Sequence, residues 1–225
     1  MDQPFYFLFI PSLLMIPAMG LLSRLESEGC LAAEIRRKAL HVGVGLMALT
    51  FPLFLTNGWR VIAAFALVSA WLLAVRTVPS LQRRFGCVLN AGRLSYGELY
   101  FSLSVAGLLL MSGSVPVLYV VPLLVLTVAD AVAAIVGRAW PRGRLGGPAG
   151  GKTMSGCCAF CLCAFVIASA GLKYLTGIGG IENLAIAGSL SLLTGYVEAI
   201  SSRGIDNLAV PAVAWLVLYS SLGGA

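Results

Sequence analysis

The chain has 225 residues, of which 59% are hydrophobic and 11% charged, and it carries a formal net charge of +6. A soluble domain usually holds about 25% charged residues, so a single water-solvated core of this length cannot absorb the apolar excess, and lipid is its natural solvent. The basic residues sit in small clusters between apolar runs rather than along a solvated stripe, which excludes nucleic acid as the partner and points to membrane topology.

A membrane-spanning helix needs roughly 20 apolar residues. In chain order the candidate runs lie at about 4–22, 39–56, 59–78, 97–113, 115–137, 154–172, 181–200 and 207–223, each end to about 2–4 residues. The first run has Asp2 as its only charge before Arg24, so it lacks the basic start of a signal peptide and is expected to span. The fourth is short, and the turn GSVP separates it from the fifth. The expected fold is therefore all-α: a polytopic transmembrane bundle of about eight spans, or about seven if one run is re-entrant. No soluble domain and no internal repeat interrupts residues 1–225, which read as one integral membrane domain.

The loops sort by charge. Arg24, Arg36, Arg37 and Lys38 fall in the first loop, and Arg76, Arg83, Arg84 and Arg93 in the third. Arg138, Arg142, Arg144 and Lys152 fall in the fifth, and Arg203 in the seventh. Only Arg60 and Lys173 lie in the even loops. Positively charged loops stay in the cytoplasm, so the odd loops are expected inside and both termini outside. Of the nine acids, only Asp2 and Glu182 fall on the outer side.

The polar motifs share that inner face. Asp130 lies about 15 residues into the fifth run, about 23 Å from its outer end, inside the hydrocarbon but close to the cytoplasmic boundary. An ionisable residue there is a functional candidate by default; the structural alternative is a pair with Arg138. Glu198 closes the seventh run, and Asp206 and Asn207 open the eighth across a short turn. Carboxylates gathered beside Asp130 suit Mg²⁺, a hard cation that bridges to phosphates; taken singly, each is an ordinary helix-end residue, Asp206 a candidate N-cap. Gly146–Thr153 fits the spacing of a Walker A loop. It lacks the strand and the soluble α/β domain that motif needs. Its glycines, Gly150 and Gly151 among them, still offer backbone N–H groups beside Lys152, a phosphate cradle on a smaller scale; otherwise the stretch is a flexible basic linker. His41, the single histidine, follows Arg36, Arg37 and Lys38. It is either a proton acceptor or an interfacial side chain. Cys157, Cys158, Cys161 and Cys163 share one apolar run with no His or acid close in sequence, and read as small apolar residues in preference to a metal or redox site.

In order, R-K-x-x-H, S-Y-G-E-L-Y, A-D-A-x-A-x-x-x-G-R, K-T-x-x-G and a final E…D-N-L-x-V-P resemble the CTP-dependent lipid kinases. That family includes dolichol, phytol and CTP-dependent diacylglycerol kinases and is related to phosphatidate cytidylyltransferase. The resemblance covers about residues 36–215, a kinase-like core preceded at about 1–35 by one span and its loop. It implies phosphoryl transfer from CTP to a lipid alcohol at the cytoplasmic face of a bacterial inner or endoplasmic-reticulum-type membrane. It carries Arg37, Lys38 and His41 into the site, with Asp130, Gly137, Arg138, Lys152, Thr153, Glu198, Asp206, Asn207 and Pro211. Asp130, His41, Lys152 and Glu198 are the expected catalytic groups. Asp130, Glu198 and Asp206 are the expected metal ligands. Arg37, Lys38, Arg138, the loop glycines, Thr153 and Asn207 are expected to hold the nucleotide. Ala134 stands where phytol-kinase-like members often carry a second acid. The rival readings are a cytidylyltransferase making a CDP-lipid and a cation- or proton-coupled transporter.

Overall fold

Residues 17, 30–89, 96–145 and 152–223 are described by the computed structural model. Apart from Pro17, the first run at about 4–22 lies outside them, as do Gly150 and Gly151. The described residues fold into helices, with one isolated bridge between Arg144 and Thr153. In chain order these are α1 (Cys30–Ala48), α2 (Gly58–Thr77), α3 (Pro79–Leu89), α4 (Gly97–Met111), α5 (Pro116–Ala139), α6 (Met154–Thr176), α7 (Gly180–Ile200) and α8 (Asp206–Ser221). A short 3₁₀ turn, Phe51–Leu53, follows α1. Helices α2, α5, α6 and α7 are long and apolar enough to cross a membrane, and α4 is a shorter apolar helix. The protein is a membrane protein with an all-helical fold.

Local chemistry sets the ends. Pro116 stands at the start of α5, where its missing N–H costs nothing. The Thr153 side chain caps α6 by accepting from the Gly156 N–H at 3.2 Å. Gly177 ends α6 in the left-handed region at φ 79°, which glycine enters without a Cβ penalty.

Two expectations shift. Helix α1 begins well before residue 39, so Arg37 and Lys38, expected in a loop, lie within it together with His41. Helix α3 lies in a stretch read as a loop. Its alternation of charged and apolar residues escapes a search for apolar runs, but Phe85 is buried and its ring meets Trp71 of α2 at 5.7 Å.

Helix α5 is the centre of the bundle. It packs against α1, α4, α6 and α8, while α2 reaches it through α4, and α7 lies against α6 and α8. Its Val121, Leu123, Val125, Leu126 and Ala129 are fully buried. On α6, Phe160, Ala164, Ala168 and Leu172 form a buried stripe at four-residue spacing. Small residues let these helices approach closely. A Cβ on Gly171 would lie 2.2 Å from a Val121 methyl, and one on Gly156 would lie 2.9 Å from the Ala133 carbonyl. The outward faces carry exposed Leu162, Val166, Leu192 and Tyr196, which lipid would solvate.

Candidate active site

Midway along α5 the helix widens into a π turn at Val125–Ala129, directly before Asp130 and just past the internal Pro122. Such turns are rare and gather at functional sites. Here the widened turn meets α1 at Gly45, where any Cβ would fall 2.2 Å from Thr127 Oγ1. Gly45 therefore lets α1 lie against the π turn, and the turn before it delivers Lys38 and His41 to Asp130. Lys38 Nζ donates to Asp130 Oδ2, an ion pair buried on both sides. His41 Nε2 lies 3.4 Å from the same oxygen and 3.1 Å from the Leu126 carbonyl. Since a carbonyl only accepts, Nε2 carries the proton of that bond and Nδ1 is left as the basic ring atom. Phe101 of α4 supports the imidazole edge to face at 4.6 Å.

A second cation meets two acids from the other side. The chain returns at residues 152–154 beside residues 143–145, pinned by Leu145 N–H to the Lys152 carbonyl at 3.0 Å and Met154 N–H to the Gly143 carbonyl at 2.7 Å. That return aims Lys152 at the ends of α7 and α8. Its Nζ donates to the Glu198 backbone carbonyl and, at 3.1 Å, to Asp206 Oδ2. Glu198 Oε2 is 2.7 Å away but is not in hydrogen-bonding alignment. Burial alone would pull the Lys152 ammonium down, but the Glu198 and Asp206 carboxylates outweigh it and hold it above the usual lysine value.

The two halves form one cluster. One carboxylate oxygen each from Asp130, Glu198 and Asp206 all lie within 4.8 Å of one another, and Asp130 and Glu198 are buried. Three like charges that close repel strongly, and Lys38 and Lys152 offset part of that repulsion. Three hard oxygen donors at this spacing fit a divalent cation. They are the one such metal-capable group among the described residues, and it contains no cysteine. Cys157, Cys158, Cys161 and Cys163 are free thiols on α6. Cys161 packs against Gly195 of α7, where a Cβ would lie 2.2 Å from its sulfur. Cys161 thus fills a close helix–helix contact.

The remaining sequence candidates divide. Asp130 takes Lys38, 92 residues away, as its partner, not Arg138. Arg138 stands about 12 Å further along α5. Asp206 is the first residue of α8 rather than its cap. Thr153 serves as the α6 cap, and Gly137 gives it room, since a Cβ there would lie 2.8 Å from Thr153 Oγ1. Asn207 donates from Nδ2 to the Gly97 carbonyl at 2.8 Å, while its own carbonyl accepts from Ser104 at 2.6 Å. It ties α8 to α4, a role its motif did not announce. Pro211 is buried inside α8.

Sequence reasoning missed the cavity beside this cluster. A cleft of about 830 Å³, open mouth included, runs between α1, α2 and α4. Arg37, His41, Glu98 and Asn207 line its polar end, and the remaining wall is chiefly aliphatic and aromatic. Glu98 is held there by Arg76 at 2.8 Å, whose guanidinium also covers the Tyr96 ring at 4.9 Å. The available signal was an arginine and a glutamate at adjoining ends of neighbouring apolar helices.

Fold and site together define a helical membrane protein with a buried acid–lysine–histidine centre beside the polar end of an apolar cleft. A phytol kinase from Synechocystis is 33% identical to the chain over 203 residues, covering 85% of the chain and 82% of that relative. The chain belongs to this family of lipid kinases and is a phosphotransferase. The similarity is to a phytol kinase in spite of Ala134. No family model matches the chain, and no solved structure matches it.

Proposed function

We propose that the protein transfers the γ-phosphoryl group of CTP to the hydroxyl of a membrane lipid alcohol at the cytoplasmic face. The observation that carries this reading is the convergence of Lys38, His41, Asp130, Lys152, Glu198 and Asp206 on one cluster, with His41 also lining the apolar cleft. The acceptor class is an isoprenoid alcohol of the phytol or polyprenol kind, as the name of the relative suggests, with diacylglycerol as the other class. CTP as donor rests on the ordered motifs. About eight spans with both termini outside follow from the sorting of basic loops, which puts the cluster on the inner side.

Phosphoryl transfer needs positioning and neutralised charge more than covalent chemistry. Lys152, Arg37 and Arg138 face the phosphates; Gly150 and Gly151, outside the described residues, are assigned to the nucleotide by the motif alone. Mg²⁺ held by Asp130, Glu198 and Asp206 would neutralise phosphate charge. The acceptor oxygen attacks the γ-phosphorus, the bond to the β–γ bridging oxygen breaks, and CDP leaves with that electron pair. The hydroxyl proton passes to His41 Nδ1. Asp130, facing Nε2, stabilises the imidazolium so formed, as a carboxylate does behind a catalytic histidine.

The test incubates purified protein with labelled CTP, ATP or GTP and a panel of alcohols, and identifies products by mass spectrometry. Lipid phosphate and CDP are expected, lost with a chelator and restored by Mg²⁺. Asp130→Asn and Lys152→Ala are expected to fall by at least about 100-fold. Pyrophosphate with a CDP-lipid would replace the reading by a cytidylyltransferase, and nucleotide-independent ion flux in proteoliposomes by a transporter. Full activity in both variants would remove the cluster from the mechanism.

A further inference from the structure

We propose that the cleft between α1, α2 and α4 seats a single hydrocarbon chain of the acceptor, and that Phe51 and Phe65 close its far end and set the longest chain that fits. The inference rests on the kinase reading and deepens it.

The cleft has a direction. Along α1, the residues Arg37, Leu40, His41, Val44, Met47 and Ala48 line it at the three- and four-residue spacing of one helix face. Arg37 to Ala48 is about 16 Å of helix axis, close to half of the roughly 30 Å hydrocarbon core. The opposite wall runs the same way on α4, from Gly97 and Glu98 to Val105, and in reverse on α2, from Leu72 to Phe65. Polar groups occur at one end, where His41 touches Asp130. At the other end the Phe51 and Phe65 rings meet edge to face with centroids 6.0 Å apart, and both are buried. A chain whose hydroxyl sits at His41 therefore ends at this aromatic pair.

Ser102 adds an independent observation. It lines the cleft one turn in from Glu98, is 4% exposed, and its hydroxyl has no partner among the described residues. A buried hydroxyl left unpaired is costly, and an alcohol bound at this end supplies the missing partner. The occupant is one chain of about a leaflet's depth. A two-chain lipid would leave its second chain outside.

The experiment reads kcat/KM for farnesol, geranylgeraniol, phytol, a long polyprenol and diacylglycerol. Each additional methylene buried multiplies kcat/KM about fourfold. Phe51→Leu and Phe65→Ala are thus expected to raise the ratio of long-chain to short-chain acceptors by at least roughly tenfold. Ala48→Phe, which fills the same end, is expected to lower it. In parallel, wild-type protein in nanodiscs is labelled with a prenyl alcohol carrying a photoreactive group at its tail. The label is expected on the segments holding Phe51 and Phe65, and unlabelled alcohol is expected to compete it away. Where a phenylalanine variant fails to fold, Ala48→Phe and the photolabel decide. An unchanged chain-length profile in folded variants, or a label elsewhere in active protein, overturns the cleft proposal and leaves the kinase reading standing. A competed tail label at Phe51 without phosphorylation of any alcohol supports the cleft and overturns the kinase reading.

Discussion

Lys38→Met is the sharpest perturbation of the site. Its ammonium and the Asp130 carboxylate have side-chain exposures of 5% and 11%. Removing one partner of such a pair strands the other charge away from water, which costs about 3–5 kcal/mol. Asp130 is a severe case, because Glu198 and Asp206 lie within 4.8 Å and repel it. For a chain of this size 1 kcal/mol corresponds to about 2–4 °C, so Tm should fall by roughly 6–20 °C. Replacing both partners with apolar side chains of similar volume, Lys38→Met with Asp130→Leu, removes the stranded charge and should restore most of that Tm. Activity should stay lost in the double variant, since the carboxylate is gone. Thermal unfolding in one detergent at fixed pH, with lipid-phosphate formation measured on the same preparations, tests both statements. A single variant less than about 1 kcal/mol below wild type, or a double variant as unstable as the sum of the two singles, would refute the reasoning.

Three further outcomes follow from the geometry. Gly156→Ala should destabilise by about 1–3 kcal/mol, because its Cβ meets the Ala133 carbonyl at 2.9 Å; Gly137→Ala should cost about 1 kcal/mol, because the Thr153 hydroxyl it meets must turn away from the Gly156 N–H it caps. Thermal unfolding of the two variants ranks them. Lys152 is held above the usual lysine value by Glu198 and Asp206, so its ion pairs contribute full stability below the unfolded value of about 10.4 and are lost as pH rises through the folded one. The contribution of the Lys152 ammonium, read from the Tm of wild type and Lys152→Met against pH, should accordingly disappear only on the alkaline side of the ordinary lysine range. Asn207→Ala should cost about 0.5–1.5 kcal/mol by removing its bond to the Gly97 carbonyl, and in the kinase assay should raise KM for the alcohol more than KM for the nucleotide, since both residues line the cleft.

Much of the helical framework is legible in the sequence, because lipid allows a long apolar run few structures other than a helix. The runs at about 59–78, 154–172 and 181–200 match α2, α6 and α7 to within a few residues. The run at about 39–56 does less well: α1 extends back to Cys30 and stops at Ala48. Helix α3 was invisible to the same logic, since it is amphipathic and stabilised by Phe85 on Trp71 rather than by apolar length.

By itself, the sequence determined that the chain is helical and membrane-embedded, and it singled out Asp130 as a costly polar group. The reason is local: an ionisable side chain in an apolar run is conspicuous whatever surrounds it. Only the tertiary structure decided who meets whom. It paired Asp130 with Lys38 rather than Arg138, brought Glu198 and Asp206 to within 4.8 Å of the Asp130 carboxylate, and turned Asn207 into a strut between α8 and α4. It also opened the cleft beside His41. These depend on how closely helices approach, which Gly45, Gly137 and Gly156 permit by what they lack. An absent Cβ leaves no mark in hydropathy or charge, and its effect exists only against the partner it lets in.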